Sequence, residues 1–339
     1  MKPLFPVLVF SSLFACFTHA QSSTQQAGWH YSLSLNSAYV NGKSNLSMLD
    51  ENEEIDDLYS DAESTSDVII FPFAEVNYLS NDLKTQYFLA GSKDQISFAP
   101  FAYELGFAHQ FENNSKLTLA YSPQLPLFDE TWQDPYLVGQ SRVKTDIHTQ
   151  GVRFELSRVA GGPITLKYAF ALMSIEDDKS GESWFENGLS LTQQELKSLQ
   201  RNSQFHRVAI ETMFPVFINQ GSKVFLKPTL QYTAQLADGE AVSNDEYDLQ
   251  LGMLIFNGQH TLITNINIGK ALFKQENPIF NMKQDSLNTG ISSVYSYAQA
   301  FNFKALTFTL VTAYRQKNSD ITFFDESGFI VSTGLTYTF

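Results

Sequence analysis

Histidine and carboxylate side chains are the groups in this 339-residue chain that could activate water or a serine for hydrolysis. Beyond residue 20 the histidines are His30, His109, His148, His206 and His260, and no two of them have the spacing of paired zinc ligands. His148 and His206 are expected near one rim of the fold, where Asp146 could orient an imidazole. Isolated histidines are usually ordinary polar residues. The sequence therefore predicts no catalytic residue, no metal ligand and no cofactor, and a hydrolase that uses His148 or His206 is a minor alternative.

Eleven charged residues share a second feature: each lies on the opposite strand face from its aliphatic and aromatic neighbours. A Lys or Arg that faces lipid near the middle of a bilayer costs about 2–4 kcal/mol, so the bases belong in a hydrated interior. Five acids and six bases are compatible with a neutralising network that plugs the interior and equally with a charged constriction that selects solutes. We predict that the following residues line a pore: Glu75, Lys84, Glu104, Arg153, Glu155, Lys167, Arg207, Glu211, Lys227, Asp248 and Arg315.

Strands must position these side chains, because apolar and polar residues alternate with a period of two from Trp29 to the last residue. In one segment Phe101, Tyr103, Leu105 and Phe107 alternate with Ala102, Glu104 and Gly106. About fourteen such segments occur, and short connections alternate with mostly longer ones. The predicted fold class is all-β: a transmembrane antiparallel up-and-down β-barrel of about 14 strands, with short periplasmic turns and long extracellular loops.

The composition supports strands rather than helices as the membrane-spanning elements. Charged residues make up only 17% of the chain, and it contains 29 Phe and 15 Tyr. No run of about 18 apolar residues follows the N-terminal segment, which excludes a transmembrane helix there. The net charge of -14 makes nucleic acid an unsuitable partner.

The N-terminus has the pattern of a secretory signal peptide. Lys2 precedes an apolar stretch from Leu4 to Phe17, and Ala20 precedes a polar segment. The predicted division is a signal peptide at 1–20 and a barrel at 21–339. A lipoprotein box ending at Cys16, which would then be acylated, is the rival interpretation.

The last eight residues, Ser332–Phe339, are predicted to form a closing strand with a free aromatic end. Gly334, Tyr337 and Phe339 match the pattern with which bacterial outer-membrane barrels present themselves for assembly. We interpret these three residues as an assembly signal. This interpretation predicts the cell outer membrane of a Gram-negative bacterium as the location, and the barrel-assembly machinery as a partner.

The predicted outer loop at 41–66 is the most acidic part of the chain, because nine carboxylates lie between Asp50 and Asp67. A solvated, mobile surface loop is the simpler interpretation. Binding of divalent cations, including those that bridge lipopolysaccharide, is the alternative. Alternating acidic and amide residues resemble a calcium loop, but Ile55 stands where the tight turn of an EF-hand needs Gly.

Two further loops have specific patterns. Thr192 and Glu195 form a capping box that predicts a loop helix near 192–201. That helix could fold inward as a gate or pack on neighbouring loops at the surface. Trp132, Pro135 and Tyr136 predict an ordered loop that packs on its own aromatic residues, with sugar stacking on Trp132 as the alternative.

Three segments carry a resemblance to a known family: Glu130–Tyr136 with the following Gly139 and Gln140, Asn277–Phe280, and Ile321–Asp325. They resemble a family of outer-membrane proteins from marine and vibrio-type bacteria that is classed as a domain of unknown function. The resemblance extends from about residue 28 to the C-terminus and implies a secreted barrel. It implies no catalytic or binding residue.

Together these patterns predict a water-filled, porin-like channel for small polar or charged solutes, since a barrel of this width has room inside. Arg153, Lys167, Arg207 and Lys227 are expected to narrow the passage. A non-conducting structural or adhesive barrel with receptor loops is the alternative. The expected surroundings are outer-membrane lipid and lipopolysaccharide, and the expected state is a monomer.

Overall fold

The protein is described by a computed structural model that covers residues 26–91, 103–123, 130–186 and 191–339. Within these residues the strands are β1 (Gly28–Lys43), β2 (Ser64–Leu79), β3 (Thr85–Gly91), β4 (Tyr103–Gln110), β5 (Lys116–Ser122), β6 (Glu130–Trp132), β7 (Lys144–Ser157), β8 (Ile164–Ile175), β9 (Ser203–Thr212), β10 (Phe214–Ile218), β11 (Ser222–Ala237), β12 (Asn244–Asn257), β13 (His260–Phe273), β14 (Ser286–Ala298), β15 (Leu306–Ser319) and β16 (Glu326–Thr338). The predicted signal peptide at 1–20, with Cys16, and the predicted strand positions Phe101 and Ala102 lie outside the described residues.

Two short helices lie in the loops, α1 (Glu182–Glu186) and α2 (Gln193–Ser198). Four 3-10 turns lie at Asp50–Asn52, Val159–Gly161, Ala300–Asn302 and Thr322–Phe324. None of the described helices is long and apolar enough to cross a membrane.

The strands form one closed antiparallel sheet in which each barrel strand pairs with its neighbours in sequence. The ring closes because β16 pairs with β1 along its length, from Ser32 opposite Thr338 to Lys43 opposite Ser327. Strands β9 and β10 both pair with β11, so together they form one barrel strand. The three-residue β6 pairs only with β7, outside the ring. The predicted fold class is therefore confirmed, with 14 barrel strands.

The interruption between β9 and β10 has a local cause in the neighbouring strand. β11 pairs with β9 up to Thr229 opposite Glu211, and pairing resumes with β10 at Leu226 opposite Phe214. Pro228 lies between these two positions, and proline supplies no N–H to the ladder. On its other side β11 pairs continuously with β12. The proline therefore interrupts one ladder and leaves the ring closed.

Strand β1 illustrates the two faces of the wall. Ser32, Ser34 and Asn36 are buried inside the barrel, whereas Leu33 and Leu35 are 52% and 61% exposed on its outer surface. Because side chains alternate along every strand, the same division is repeated by the neighbouring strands. The result is an apolar outer surface around a polar interior, as in a barrel whose outer face contacts lipid.

Aromatic side chains mark both edges of the apolar surface. Near the short turns, the rings of Trp29 and Tyr78 lie 5.0 Å apart, and Tyr78 continues the row to Tyr87 at 6.4 Å. Near the long loops, the rings of Tyr232 and Tyr247 lie 5.2 Å apart. Two such girdles are typical of barrels that place aromatic rings at the two lipid–water interfaces.

Candidate functional site

A cavity of about 520 Å³ lies inside the barrel and is lined by inward-facing side chains of the strands. Seven of the eleven predicted pore residues line it: Arg153, Lys167, Arg207, Glu211, Lys227, Asp248 and Arg315. Four further charged residues that we did not predict also line it, namely Arg201, Glu246, Lys317 and Glu326. The two-residue alternation of strand faces could have revealed two of them, because Glu246 lies on the same strand face as Asp248 and Lys317 lies on the same strand face as Arg315.

The other four predicted residues lie elsewhere. Glu104 is completely buried in the wall and Glu155 lies beside it, both in contact with Arg153. Glu75 is half-buried on β2, opposite Ser32 of β1. Lys84 precedes β3 in a short turn, where its exposed ammonium group lies 4.0 Å from Glu112. The strand predicted to carry Lys84 begins at Thr85 instead, because Ser80–Asp82 and the positive φ of Leu83 close the turn.

Arg153 is held by two carboxylates. Its Nε and Nη2 donate to the two oxygens of Glu104 at 3.2 and 2.7 Å, and its Nη1 donates to Glu155 at 3.0 Å. Glu104 is on β4 and Arg153 on β7, so the guanidinium spans β5, where the small Ala120 lies opposite Arg153. A bidentate ion pair of this kind fixes the orientation of both the guanidinium and the carboxylate. Arg153 therefore connects β7 to β4 across the intervening β5.

Glu211 connects two lysines on different strands. Lys167 of β8 and Lys227 of β11 lie 3.3 and 3.2 Å from the same Glu211 oxygen. Arg207, on the same strand as Glu211, donates from Nε to the Thr233 hydroxyl at 3.1 Å. The two lysines remain partly accessible in the cavity: 20% of the Lys167 side-chain surface and 26% of the Lys227 side-chain surface are exposed.

Side-chain amides cover the wall next to this group. Gln250 donates to Asn265 at 3.0 Å, and Asn288 donates to Glu246 at 2.7 Å. Asn267 lies flat over Gly290 of the next strand: a Cβ at that glycine would lie 2.5 Å from the Asn267 Oδ1. Asn265 lies in the same way over Gly252, at 2.8 Å. The glycines thus let polar side chains lie along the wall instead of projecting across the lumen.

The long loops share a hydrophobic core, which we call the loop cap. Its buried residues come from six loops: Ile55, Leu58, Tyr136, Leu199, Ala241, Ile279, Ile321, Phe323 and Phe324. Tyr136 and Phe324 also line the lumen cavity, together with Leu46. The loop cap therefore forms part of the cavity roof at the long-loop end of the barrel.

Buried polar groups hold the loop cap in one arrangement. Asp134 accepts from the backbone N–H groups of Tyr136, Gly181 and Ser183, each at 3.0 Å. Arg142 donates to backbone carbonyls of three residues in two loops, including that of Asn45 at 2.9 Å. Burial lowers the pKa of Arg142 to about 10, which leaves it charged at neutral pH. Burial also raises the pKa of the Tyr136 hydroxyl, which accepts from the Asn277 amide at 3.0 Å.

Trp132 is fully buried beneath these loops. Its Nε1 donates to the Ser47 carbonyl at 3.1 Å, and the Arg142 guanidinium lies 4.5 Å from its ring centroid. No face of the ring is left for a sugar, so the proposed sugar stacking on Trp132 is wrong in this structure. The loop of Trp132, Pro135 and Tyr136 is ordered, as the packing interpretation expects.

The acidic loop at 41–66 is anchored rather than freely mobile, because Ile55 and Leu58 pack in the loop cap. Hydrogen bonds from the Ser60 hydroxyl and the Tyr59 backbone lower the pKa of Asp57. Among the residues that the structure describes, no three His, Cys, Asp or Glu side chains converge as metal ligands. Binding of divalent cations at this loop stays a prediction.

The loop helix α2 has the expected capping box. The Glu195 backbone N–H donates to the Thr192 hydroxyl, and the Thr192 N–H donates to the Glu195 carboxylate at 2.7 Å. The Thr192 N–H and the Thr192 hydroxyl both donate to the Glu195 carboxylate and lower the pKa of Glu195. Leu199, the C-cap residue that follows the helix, is completely buried in the loop cap. The helix therefore packs on neighbouring loops, as the second of the two interpretations expects, and does not project freely into the lumen as a gate.

His148 and His206 both lie on the outer face of the wall, separated by β8. His206 lies opposite Phe170, with its Nδ1 2.9 Å from the Tyr168 hydroxyl, and His148 lies opposite Ser174. Neither residue lines the lumen cavity. Asp146 lies two residues from His148 on the same strand and therefore on the same outer face, so a rim site that uses these residues stays a prediction.

A closed antiparallel barrel with an apolar belt, two aromatic girdles and a polar lumen has the architecture of bacterial outer-membrane β-barrel proteins. Within that class, the chain belongs to the family described as Protein of unknown function (DUF2860), which it matches over residues 28–338. This range agrees with the extent of the resemblance found in the sequence. No curated protein matches the chain.

Solved outer-membrane structures resemble it in fold. A bacterial polysaccharide outer membrane secretin is 8% identical with a TM-score of 0.44, over 90% of this chain and 98% of that one. An anion-selective porin from Comamonas acidovorans is 10% identical with a TM-score of 0.42, over 92% and 98% of the two chains. The outer membrane channel DcaP of Acinetobacter baumannii is 8% identical with a TM-score of 0.40, over 92% and 96%.

Proposed function

We propose that this protein is an outer-membrane channel that lets small polar or charged solutes cross through its lumen. The observation that carries the proposal is the polar cavity of about 520 Å³ inside a closed 14-strand barrel. Partly exposed lysines and amides in that cavity can replace part of the hydration shell of a polar solute. Two observations support the two alternatives that the sequence left open. The ion pairs of Arg153 in the wall favour a neutralising network, and the partial accessibility of Lys167 and Lys227 favours a charged constriction.

This function requires export and insertion, so we also propose the surroundings that the sequence predicts. The N-terminal segment 1–20 acts as a signal peptide, and Gly334, Tyr337 and Phe339 serve as the assembly signal. The inserted barrel is a monomer that contacts lipid and lipopolysaccharide. An origin in marine or vibrio-type bacteria is part of the same proposal.

We propose no enzymatic role. His148 and His206 lie on the outer face and on different strands. If a hydrolase site were present there, purified protein would hydrolyse lipid or peptide substrates, and His148→Ala or His206→Ala would abolish that activity. Equal turnover in both variants and the unchanged protein would rule out such a site.

Planar-bilayer recording of the purified, refolded protein tests the channel directly. The proposal predicts stepwise currents in potassium chloride and swelling of liposomes in small neutral sugars. Because the loop cap covers part of the outer end, the recordings should include a variant with a loosened cap, Phe323→Ala. Silence of both proteins would contradict the channel.

A second candidate function has one observation in its favour. The loop cap joins six loops through a buried core, and an ordered surface of this kind is suited to recognition by a receptor-binding partner. A non-conducting adhesive barrel would be silent in bilayers with an intact or a loosened cap, and deletion of the cap residues would abolish adhesion of cells to surfaces.

A further inference from the structure

Charged side chains that line the lumen cavity are balanced in sign. The seven bases are Arg153, Lys167, Arg201, Arg207, Lys227, Arg315 and Lys317, and the four carboxylates are Glu211, Glu246, Asp248 and Glu326. Three further carboxylates, Glu104, Glu155 and Asp178, contact bases of this set. The four and the three carboxylates together equal the seven bases. This group of side chains is therefore formally neutral.

Each base of this set also interacts with a carboxylate. The pairs are Arg153 with Glu104, Arg201 with Asp178, Lys317 with Glu326, Lys167 and Lys227 with Glu211, and Arg207 and Arg315 with Asp248. Lys167 in addition lies opposite Glu155 in the ladder of β7 and β8. An ion in the cavity would give up part of its hydration and would have to compete with these internal partners. The charge pattern therefore disfavours tight binding of an ion.

Uncharged polar side chains form a continuous part of the inner surface on β11 to β14, which we call the amide wall. Its seven residues all line the cavity: Gln231, Gln235, Asn244, Gln250, Asn265, Asn267 and Asn288. Some of these amides bond to each other, since Gln250 donates to Asn265 at 3.0 Å and Asn244 donates to Gln235 at 2.8 Å. A side-chain amide has two N–H donors and two acceptor positions, so one such bond leaves further groups for a solute.

Three buried oxygens beside or within the amide wall have no hydrogen-bond partner among the residues that the structure describes. They are Thr229 Oγ1, Ser286 Oγ and Asn288 Oδ1, and all three residues line the cavity. Ser286 and Asn288 are 3% and 5% exposed. A buried oxygen without a partner is costly. A solute hydroxyl that reaches one of them can supply the bond, because a hydroxyl both donates and accepts.

Aromatic rings border the same cavity at its long-loop end. Phe205 and Phe273 lie at the outer ends of β9 and β13, and Tyr136 and Phe324 belong to the loop cap. A sugar ring has hydroxyls around its edge and C–H groups on its faces, so it can contact amides and aromatic rings together. The cavity volume of about 520 Å³ lies within the range of about 300–1,000 Å³ for small-molecule sites.

We propose that the amide wall binds a neutral saccharide as it passes through the lumen. This inference rests on the proposed channel, for which it names the substrate class. The hydroxyls of the saccharide bond to the amides of β11 to β14, and its C–H faces contact the aromatic rings at the long-loop end.

A saturation-transfer NMR titration of the protein in detergent micelles tests the inference without requiring ion flow. The probes are glucose, the anion glucuronate and protonated glucosamine, which share one ring form and differ in charge. Glucose should bind about tenfold more tightly than either ion, because each ion has to compete with the internal ion pairs. Tighter binding of either ion, or no binding of glucose, would overturn the inference.

Variants of the amide wall test where the sugar binds. Asn267→Leu removes one amide at similar side-chain size, and Gln250→Met with Asn265→Leu removes two amides that bond to each other. Both variants leave the charge unchanged and should bind glucose about tenfold more weakly. The heat-dependent gel shift and the urea midpoint show whether each variant is folded. Unchanged glucose binding in both folded variants would overturn the inference.

Gln193→Met is the matched control for these variants. Gln193 is exposed on α2 and lies outside the cavity, so the loss of its amide should leave glucose binding unchanged. An equal loss of binding in Gln193→Met and in the amide-wall variants would contradict a site in the lumen.

Bilayer recordings on the same preparation keep the two proposals distinguishable. Glucose binding without any current would reject the channel and keep the saccharide site. Current without glucose binding would keep the channel and reject the saccharide site.

Discussion

Arg153 and Glu104 form the most deeply buried ion pair of the described wall, with 4% and 0% of their side-chain surfaces exposed. A buried pair of this kind contributes little net stability compared with apolar residues, but loss of one partner leaves an uncompensated charge. The pair therefore matters because neither residue can be lost alone.

Replacement of Arg153 by Ala should destabilise the barrel by about 3–5 kcal/mol, because Glu104 would remain buried without its partner. Urea unfolding of the refolded protein in micelles, followed by the heat-dependent gel shift, measures the change. The double variant Arg153→Met with Glu104→Gln removes both charges, so its free energy of unfolding should fall by less than that of Arg153→Ala. A double variant as unstable as Arg153→Ala would contradict this explanation.

A side chain at Gly290 should displace the Asn267 amide. A Cβ there would lie 2.5 Å from Asn267 Oδ1 and 3.3 Å from the Tyr314 carbonyl, and overpacking that a flexible side chain can relieve should cost about 1 kcal/mol, the low end of the usual range. Gly290→Ala should therefore lower the urea midpoint, and the added change Asn267→Ala should restore part of it. Gly221→Ala is the matched control, since its nearest atom is 3.9 Å away. Equal midpoints for Gly290→Ala and Gly221→Ala would refute the account.

The two-residue alternation assigns each charged residue to a strand face, but it does not predict which charged residues pair with each other. Alternation of faces is a local property of each strand, so Glu104 and Arg153 could each be assigned to the inner face from the sequence of its own strand. Their contact depends on the register of β4, β5 and β7 together, which the alternation does not contain. Lys84 was misplaced because a strand boundary can shift by a few residues while the alternation continues.

The loops differ from the strands in how they are stabilised. Strands are held by continuous ladders of backbone hydrogen bonds, whereas the loop cap depends on side chains such as Ile55, Leu199 and Phe323 from distant parts of the chain. Phe323 is completely buried, and its ring lies 5.0 Å from that of Phe324 and 5.6 Å from that of Tyr136. Loss of one central ring should therefore loosen several loops together.

Phe323→Ala should destabilise the loop cap by about 3–5 kcal/mol, the range typical of a buried Phe replaced by Ala. The barrel strands do not depend on this ring, so the heat-dependent gel shift should persist. Limited proteolysis should cut the long loops faster, and single-channel conductance should rise.

Phe301→Ala is the matched control for that experiment, because Phe301 is 63% exposed near a short turn. It should leave both proteolysis and conductance unchanged. Unaltered loop cleavage and current in Phe323→Ala would show that the cap neither depends on this ring nor restricts the lumen.

Strands were predictable and the loop cap was not, for a physical reason. Each strand contains its own two-residue period, so the fourteen barrel strands could be counted from local patterns. The loop cap joins residues that are hundreds of positions apart, such as Asn45, whose amide donates to the Phe323 carbonyl at 3.3 Å. No period connects such residues. The acidic loop therefore looked mobile although its apolar residues are buried.

For the whole molecule, one division of surfaces explains the fold, the candidate site and the proposed function. Apolar side chains face outward between two aromatic girdles, and polar side chains face a cavity that the loop cap partly covers. A one-residue shift in the register of any strand would exchange its two faces, so each ladder has to maintain the division. A polar lumen inside an apolar outer surface requires that no strand exchanges its inner and outer faces.

Site-directed thiol labelling across β11 tests this division most directly. Thr229 lines the cavity and its neighbour Leu230 is 58% exposed on the outer surface, so single cysteines at these positions sample the two faces of one strand. In both labelling variants the single native cysteine, Cys16, would also be replaced by Ser. In liposomes, a small charged thiol reagent should modify Cys at 229 and leave Cys at 230 protected by lipid. Protection at 229 with modification at 230 would contradict the account.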